Sequence, residues 1–112
     1  MKKIFIFTVI GAAVSASAIA GFINDTQTDI SVTHAKEMRD EMPVQLKGNI
    51  TQSLGDEKYL FSDGKETIIV EIDDEGWQGQ NVSPKDTVLI VGEMDKDIWG
   101  TEIDVETVQL IK

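Results

Sequence analysis

The acidic stretch near the C-terminus has the residue types and spacing that come closest to a recognisable chemical site. Four of its residues match the first, third, sixth and twelfth positions of an EF-hand calcium loop: Asp95, Asp97, Gly100 and Glu106. Calcium requires several oxygen ligands around a sharp glycine turn, so this spacing has a physical basis. However, Trp99 occupies a ligand position, Glu102 replaces an apolar residue, and the flanks alternate like strands. We expect no EF-hand and predict only a weak divalent-cation contact, through Asp95, Asp97 or Asp104.

Aromatic residues are the other candidates for binding. Tyr59, Trp77 and Trp99 could each stack against a sugar or a peptide. Aromatic side chains near turns also serve as packing residues, and Trp77 could instead cover one open end of a small barrel. The sequence leaves both interpretations open.

The residues needed for catalysis are nearly absent from the sequence. There is no cysteine, and His34 is the single histidine, so disulfides, thiol chemistry and the common zinc sites are excluded. Asp73, Asp74 and Glu75 could act as acid and base on a glycoside, but a charged, solvated connection explains them more simply. We therefore predict a protein that is not an enzyme and uses no cofactor.

The N-terminal segment has the organisation of a secretory signal peptide. Lys2 and Lys3 precede an apolar run, and small residues follow, with cleavage expected after Ala18 or Ala20. An uncleaved membrane anchor is the alternative, but it would need about 20 consecutive apolar residues, and polar residues and glycine interrupt this run. We predict a signal peptide over 1–20, a flexible lead-in over 21–30 and one domain over 31–112. The mature protein would be periplasmic and would not insert into the membrane.

The charge of the mature chain restricts its partners. Once the two lysines of segment 1–20 are removed, eight basic residues face 20 acidic ones, which gives a formal net charge of −12. Nucleic-acid affinity comes largely from Lys and Arg contacts with phosphate, so nucleic acid is not an expected partner. Cationic partners are favoured instead.

The hydrophobic pattern predicts one short helix followed by five strands. Ser31 can cap a helix whose apolar face holds Val32, Ala35 and Met38, and we expect Pro43 to end it. The apolar period then changes to two. The predicted strands span 44–51, 58–62, 67–73, 87–94 and 101–110, and an irregular crossover spans 74–86.

Five short strands with one longer connection suit a small closed barrel, because an open sheet of this size would expose unpaired edges. We predict a mainly β fold, a five-stranded OB-fold Greek-key barrel, with a β-sandwich as the alternative. Gly48 and Gly92 fall inside strands, where glycine usually marks a bend or a close backbone approach. We interpret both as positions at which the barrel closes.

Several short motifs together carry a resemblance to a known family. They are Leu46-x-Gly48-x-Ile50, Tyr59-Leu60-Phe61-x-Asp63, Val70-x-Ile72-Asp73, Trp77-x-Gly79, Pro84-x-Asp86-x-Val88, Gly92-x-x-Asp95-Lys96-Asp97 and Glu102-Ile103-Asp104-Val105. In these residues the chain resembles the bacterial OB-fold (BOF) family of YgiW/YdeI-type proteins. The resemblance implies a single periplasmic domain with a five-stranded barrel packed by an N-terminal helix, and a part in tolerance of envelope stress. Members of this family are not known as enzymes.

Three functional hypotheses follow. The first is a non-enzymatic periplasmic binding module whose partner is an envelope protein, a cell-wall glycan or a cationic peptide. The second is a weak divalent-cation binder, and the third is an enzyme acting on glycan.

Overall fold

In the computed structural model, which describes residues 29–112, five strands close into a single barrel behind one short helix. The elements in chain order are α1 (Val32–Glu37), β1 (Pro43–Gly55), β2 (Lys58–Ser62), β3 (Thr67–Ile72), β4 (Thr87–Asp97) and β5 (Gly100–Ile111). The predicted signal peptide and most of the predicted lead-in lie outside the described residues. Within the described part, no helix is long and apolar enough to cross a bilayer.

The strand order around the barrel is β1-β2-β3-β5-β4, and β4 pairs back with β1. Neighbouring strands run antiparallel except β3 and β5, which are parallel because the crossover carries the chain past β5 to the position of β4. One closed sheet leaves no free edge, which removes the liability of a small open sheet. The predicted OB-fold barrel is thus confirmed, and the β-sandwich alternative is wrong.

Gly48 and Gly92, which lie in the interiors of β1 and β4, are positions where the backbone of a neighbouring strand comes close. β1 pairs with β4 up to Gly48 and with β2 from Asn49 onwards, so the strand changes partner at this point. A Cβ at Gly48 would overlap the carbonyl oxygen of Ser62. Gly92 lies at a register shift between β4 and β5, and a Cβ there would overlap the carbonyl oxygen of Asp104. The close backbone approach predicted for these positions is present at both.

Alternate residues of every strand fill the interior of the barrel. In β1, for example, Val44, Leu46, Gly48 and Ile50 are buried, while Gln45, Lys47 and Asn49 between them are more exposed. Phe61 is the largest fully buried side chain. Among the described residues the core holds no polar or charged side chain, so burial of apolar surface is the main force that holds the barrel together.

Helix α1 begins where the sequence predicts, and its apolar face packs against the core. The Ser31 hydroxyl accepts a hydrogen bond from the His34 amide, and Val32 and Ala35 are buried. The expectation that Pro43 ends the helix is wrong, because the chain becomes extended at Met38 and Pro43 instead starts β1. Ordered contacts also begin before the predicted boundary at residue 31, since the Ile30 amide donates to the Gln45 carbonyl at 3.0 Å.

Three strands are longer than the apolar period predicts. β1 continues to Gly55, β4 continues to Asp97 and β5 starts at Gly100. The predicted acidic turn is therefore short, and Asp95 and Asp97 belong to a strand. Apolar residues alternate only along the part of a strand that covers the core, whereas the backbone hydrogen bonds continue beyond that part.

Candidate functional site

A groove lies on the barrel surface between β1, β2 and the crossover that joins β3 to β4. Its volume is about 460 Å³. The ten lining residues are Ile50, Thr51, Gln52, Ser53, Tyr59, Trp77, Gln80, Asn81, Val82 and Pro84. None of them carries a charge, which is unusual on a chain with 20 acidic residues.

Tyr59 and Trp77 form the aromatic part of the groove. Their ring centroids are 5.2 Å apart and their planes meet at 82°, which is an edge-to-face contact. Both rings are partly buried and pack against the core. Trp77 therefore covers the barrel interior and lines the groove at the same time, so the two interpretations of this residue are compatible.

Gln80 fixes the wall of the groove. Its side-chain amide donates to the Val108 carbonyl at 2.6 Å and to the Trp77 carbonyl at 2.9 Å, and its Oε1 accepts from the Leu110 amide at 2.9 Å. These bonds attach the crossover to β5. No pattern in the sequence indicates this role, since one glutamine in a polar segment is unremarkable.

Asn49 supports the other end of the crossover. Its side-chain amide donates to the Asp86 carbonyl at 2.8 Å and to the Pro84 carbonyl at 3.2 Å. The groove is thus held by side-chain hydrogen bonds on both sides, although the crossover itself has no regular secondary structure.

Trp99 does not belong to the groove. It lies at the tip of the β4–β5 hairpin beside Ile98, and the two side chains are 87% and 89% exposed. Asp97 shapes this tip, because its Oδ1 accepts hydrogen bonds from the amides of Trp99 at 2.8 Å and Gly100 at 3.1 Å. The structure therefore brings together two of the three predicted aromatic residues and places the third at another surface.

The predicted metal ligands are not brought together as one set. Asp95 lies with Glu71 and Glu102, and one carboxylate oxygen from each falls within 4.8 Å of the others. Asp97 is engaged in the hairpin turn, and Asp104 is outside this group. Sequence reasoning missed Glu71 and Glu102 because the three acids come from three different strands, and only the barrel topology makes them neighbours.

Lys58 partly neutralises these acids. Its Nζ is 2.6 Å from Glu102 Oε1, and this hydrogen bond is the main reason why the pKa of Lys58 is raised, with further contributions from Glu71 and Asp95. One ammonium thus faces three carboxylates on the outer surface of the barrel. The group carries a net negative charge even with its own internal cation.

Asp104 lies in an acidic hollow further along the same sheet. Asp40, Glu41, Glu93 and Asp95 line this hollow with it, and its volume is about 200 Å³. The pKa of Asp104 is raised, first by partial desolvation and then by the negative charges of Asp95, Asp73 and Glu106. Repulsion between carboxylates is therefore a property of this surface.

The residues considered for catalysis lie outside the groove. Asp73 Oδ1 accepts a hydrogen bond from the Gly76 amide at 2.8 Å and so forms part of a turn. Asp74 and Glu75 are exposed in the crossover and do not line the groove. His34 is exposed on helix α1.

Comparison with known proteins places this architecture in a family. The family profile described as Bacterial OB fold (BOF) protein matches residues 9–110. The chain belongs to the BOF family. The family resemblance read from the sequence motifs is therefore confirmed.

The sequence of this BOF protein is similar to those of two relatives, YgiW and CarO. Protein YgiW of Escherichia coli is 46% identical over 81 residues, which cover 72% of this chain and 62% of YgiW. The chain thus spans less than two thirds of that relative. The calcium-regulated OB-fold protein CarO of Pseudomonas aeruginosa is 34% identical over 114 residues, covering 100% of this chain and 98% of CarO.

Solved structures agree with the barrel. The structure of the hypothetical protein ygiW from E. coli matches with a TM-score of 0.74 and 43% identity, covering 77% of this BOF chain and 92% of the other. The crystal structure of the p204 HINb domain matches with a TM-score of 0.61, 12% identity and coverage of 88% and 53%. At that identity the second likeness concerns the fold alone.

Proposed function

We propose that this BOF protein is a non-enzymatic binding module of the periplasm that holds cell-wall glycan in the groove beside Tyr59 and Trp77. The observation that carries the proposal is the absence of charge from all ten lining residues of the groove on a strongly acidic chain. Uncharged walls favour an uncharged ligand, because a charged group would lose its hydration there without gaining a partner.

The chemistry of the lining fits a sugar chain. Sugar rings offer apolar C–H faces that pack on aromatic rings, and hydroxyls that need hydrogen-bond donors and acceptors at the edges. Tyr59 and Trp77 supply the aromatic surface, while the exposed side chains of Gln52 and Asn81 supply amide groups at the rim. Small-molecule sites typically combine these features in clefts of roughly 300–1,000 Å³.

Tryptophan fluorescence tests the groove directly. The chain has two tryptophans, so the variant Trp99→Phe leaves Trp77 as the single reporter in the groove. We expect soluble, uncharged oligomers of N-acetylglucosamine to change the emission of Trp77 in a saturable way. In the same background, Tyr59→Ala and the rim variant Gln52→Ala/Asn81→Ala should each weaken binding by about tenfold.

The rim variant decides the outcome if Tyr59→Ala fails to fold, because both of its side chains are exposed. The matched control is Glu37→Gln, an exposed residue of α1, which should leave binding unchanged. Saturable binding that the rim variant does not weaken, or no binding at all, would refute the groove as a glycan site.

A location in the periplasm and a part in envelope stress tolerance belong to the same proposal. The sequence of segment 1–20 supports export. We expect the mature protein in the periplasmic fraction, with an N-terminus that follows Ala18 or Ala20. A strain lacking the protein should be more sensitive to agents that damage the cell wall, and the rim variant should fail to restore tolerance. If the rim variant fully restores tolerance in that strain, the part in stress tolerance does not depend on the groove.

A divalent cation is the second candidate ligand. It is favoured by the three carboxylates of Glu71, Asp95 and Glu102, which could serve as oxygen ligands. The relative CarO is described as calcium-regulated, which makes calcium the cation to test. Binding to the native state would raise the melting temperature with calcium relative to sodium chloride at equal ionic strength. Lys58→Met should enlarge that rise because Lys58 competes for Glu102; no rise at millimolar calcium in either protein would exclude this function.

A further inference from the structure

The tip of the β4–β5 hairpin presents two large apolar side chains to solvent. Ile98 is 89% exposed and Trp99 is 87% exposed, whereas Leu54, the other exposed large apolar residue of the described part, is 45% exposed. Isolated exposed apolar residues are common, but two adjacent ones at the end of a protruding hairpin form a local apolar surface. Trp is also among the residues that contribute most to binding energy at protein interfaces.

The tip is held in a defined conformation. Backbone pairing between β4 and β5 continues to Asp97 and Gly100, which leaves only Ile98 and Trp99 as the turn. The carboxylate of Asp97 accepts hydrogen bonds from two amides of the turn. A preorganised tip loses less conformational entropy on binding than a flexible loop does.

A small acidic pocket adjoins the Trp99 ring. It has a volume of about 130 Å³ and is lined by Lys58, Asp95, Asp97, Trp99, Gly100 and Glu102. An aromatic ring beside carboxylates is the combination that accepts an ammonium or guanidinium group, through cation–π attraction and charge-assisted hydrogen bonds. The bond between Lys58 and Glu102, at 2.6 Å, shows that an ammonium group fits against Glu102, and a second cation would share this carboxylate with Lys58.

We propose that the tip site, formed by Ile98, Trp99 and the adjoining acidic pocket, docks a basic segment of another protein. A Lys or Arg side chain of that segment enters between the indole ring of Trp99 and the carboxylates of Asp95 and Glu102. An apolar neighbour of that residue packs on Ile98.

Charge selects this occupant over the others. A second copy of this chain, a nucleic acid and an anionic membrane surface all carry the same sign of charge as the pocket, so electrostatic repulsion opposes them. A neutral glycan would gain nothing from the carboxylates. A basic protein segment uses both the apolar tip and the charge, and attraction between opposite charges also speeds its association.

The tip site is independent of the proposed glycan function. Trp99 does not line the groove, and neither Tyr59 nor Trp77 lines the tip pocket. Failure of the tip proposal would therefore leave the groove proposal standing, and the reverse also holds.

NMR titration of the ¹⁵N-labelled domain with a short capped peptide of alternating lysine and leucine tests the proposal. We expect shift changes concentrated at residues 95–102, with weaker binding by about tenfold in Trp99→Ala and in Asp95→Asn/Glu102→Gln. The control Glu37→Gln/Glu75→Gln makes the same charge change at exposed positions elsewhere, so its affinity should stay within about twofold of the parent. Trp99→Ala should keep the fold because the ring is exposed, and it decides the test if the charge variant unfolds.

Four outcomes would overturn the proposal. The first is equal weakening by the control variant, since general attraction to an acidic surface would then explain the binding. The second is unchanged affinity in Trp99→Ala. The third is equal binding of a peptide in which glutamate replaces lysine. The fourth is the same local shifts with zwitterionic phosphatidylcholine vesicles but none with the lysine peptide, which would identify a lipid surface as the occupant.

Discussion

At the scale of single residues, Gly92 shows how the barrel depends on an absent side chain. We expect Gly92→Ala to lower the free energy of unfolding by about 3 kcal/mol, because the new Cβ would overlap the backbone at Asp104 and Val105 and the strands would have to separate. Urea denaturation measures this change. The control is Gly64→Ala, where φ is +98° but a Cβ meets open space, so only the conformational cost of about 1 kcal/mol applies. Equal losses in both variants would show that close strand approach is not what requires Gly92.

Asp63 couples the fold to pH. Its carboxylate accepts hydrogen bonds from the amides of Val32, Glu66 and Lys65, and these bonds hold the pKa of Asp63 below its usual value. The folded state therefore binds this proton less readily than the unfolded state, where the pKa is about 3.9. The stabilisation is fully present above that value and is lost as the pH falls through the folded pKa.

Replacing Asp63 by Asn should thus lower the free energy of unfolding and weaken its dependence on pH. We expect a loss of about 1 kcal/mol at pH 7 and a shallower decline of the free energy of unfolding between pH 5 and pH 2.5. Urea denaturation across this range measures both quantities. Asp74→Asn, an exposed acid of the crossover, is the charge-matched control and should retain the parent profile. A parent-like profile in Asp63→Asn would contradict the assignment.

At the scale of elements, the outer face of β3, β5 and β4 carries like charges in direct opposition. Glu93 pairs with Asp104 and Asp95 with Glu102 across the β4–β5 ladder, and Glu71 pairs with Asp104 across the parallel ladder. Such pairs are destabilising, by roughly 0.2–1 kcal/mol each. The raised pKa of Asp104 agrees with this repulsion, since desolvation and neighbouring carboxylates make its ionised form less favourable in the folded state.

Asp104→Asn should therefore stabilise the domain at neutral pH. We expect a gain of about 0.5 kcal/mol in the free energy of unfolding. The gain should shrink at high salt, where repulsion is screened, and should vanish at acidic pH, where Asp104 is protonated in the parent. Denaturation at pH 7 and pH 3, with and without added sodium chloride, measures it. Loss of stability at pH 7 would mean that Asp104 makes a favourable contact that outweighs the repulsion.

The crossover is the element that sequence reasoning described least well. The apolar period located every strand, because the buried half of each strand determines that period, and capping chemistry located the start of α1. Neither rule predicts the side-chain hydrogen bonds of Gln80, because they depend on where the crossover packs against β5. The grouping of Glu71 with Asp95 and Glu102 was missed for the same reason, since it follows from strand order and not from spacing along the chain.

Gln80 should accordingly control the groove as well as the stability of the domain. We expect Gln80→Ala to lower the free energy of unfolding by about 2 kcal/mol, because it leaves the Val108 carbonyl and the Leu110 amide without their partner. With Trp99→Phe as the background, the emission of Trp77 should shift to longer wavelength as the ring gains contact with water. The exposed Gln109→Ala is the control. An unchanged Trp77 emission would show that Gln80 does not fix the groove wall.

At the scale of the whole molecule, net charge opposes the compact state. The chain from residue 21 onwards carries a formal net charge of −12, and the described residues form two ion pairs, one of them long at 3.8 Å. Compaction brings these acids closer together, so self-repulsion destabilises the folded state. Raising the salt concentration shortens the Debye length from about 30 Å at 0.01 M to about 8 Å at 0.15 M.

Salt should therefore stabilise this protein, whereas a fold held by surface ion pairs would lose stability. We expect the melting temperature to rise by about 5 °C between 0.01 M and 0.15 M sodium chloride, and by less in Asp104→Asn, which starts with weaker repulsion. Scanning calorimetry at both salt concentrations measures the difference. Potassium chloride at equal ionic strength should give the same rise, because screening depends on ionic strength and not on the identity of the monovalent cation. A fall in melting temperature would mean that the paired charges of Lys36 and Lys58 outweigh the repulsion among the unpaired acids.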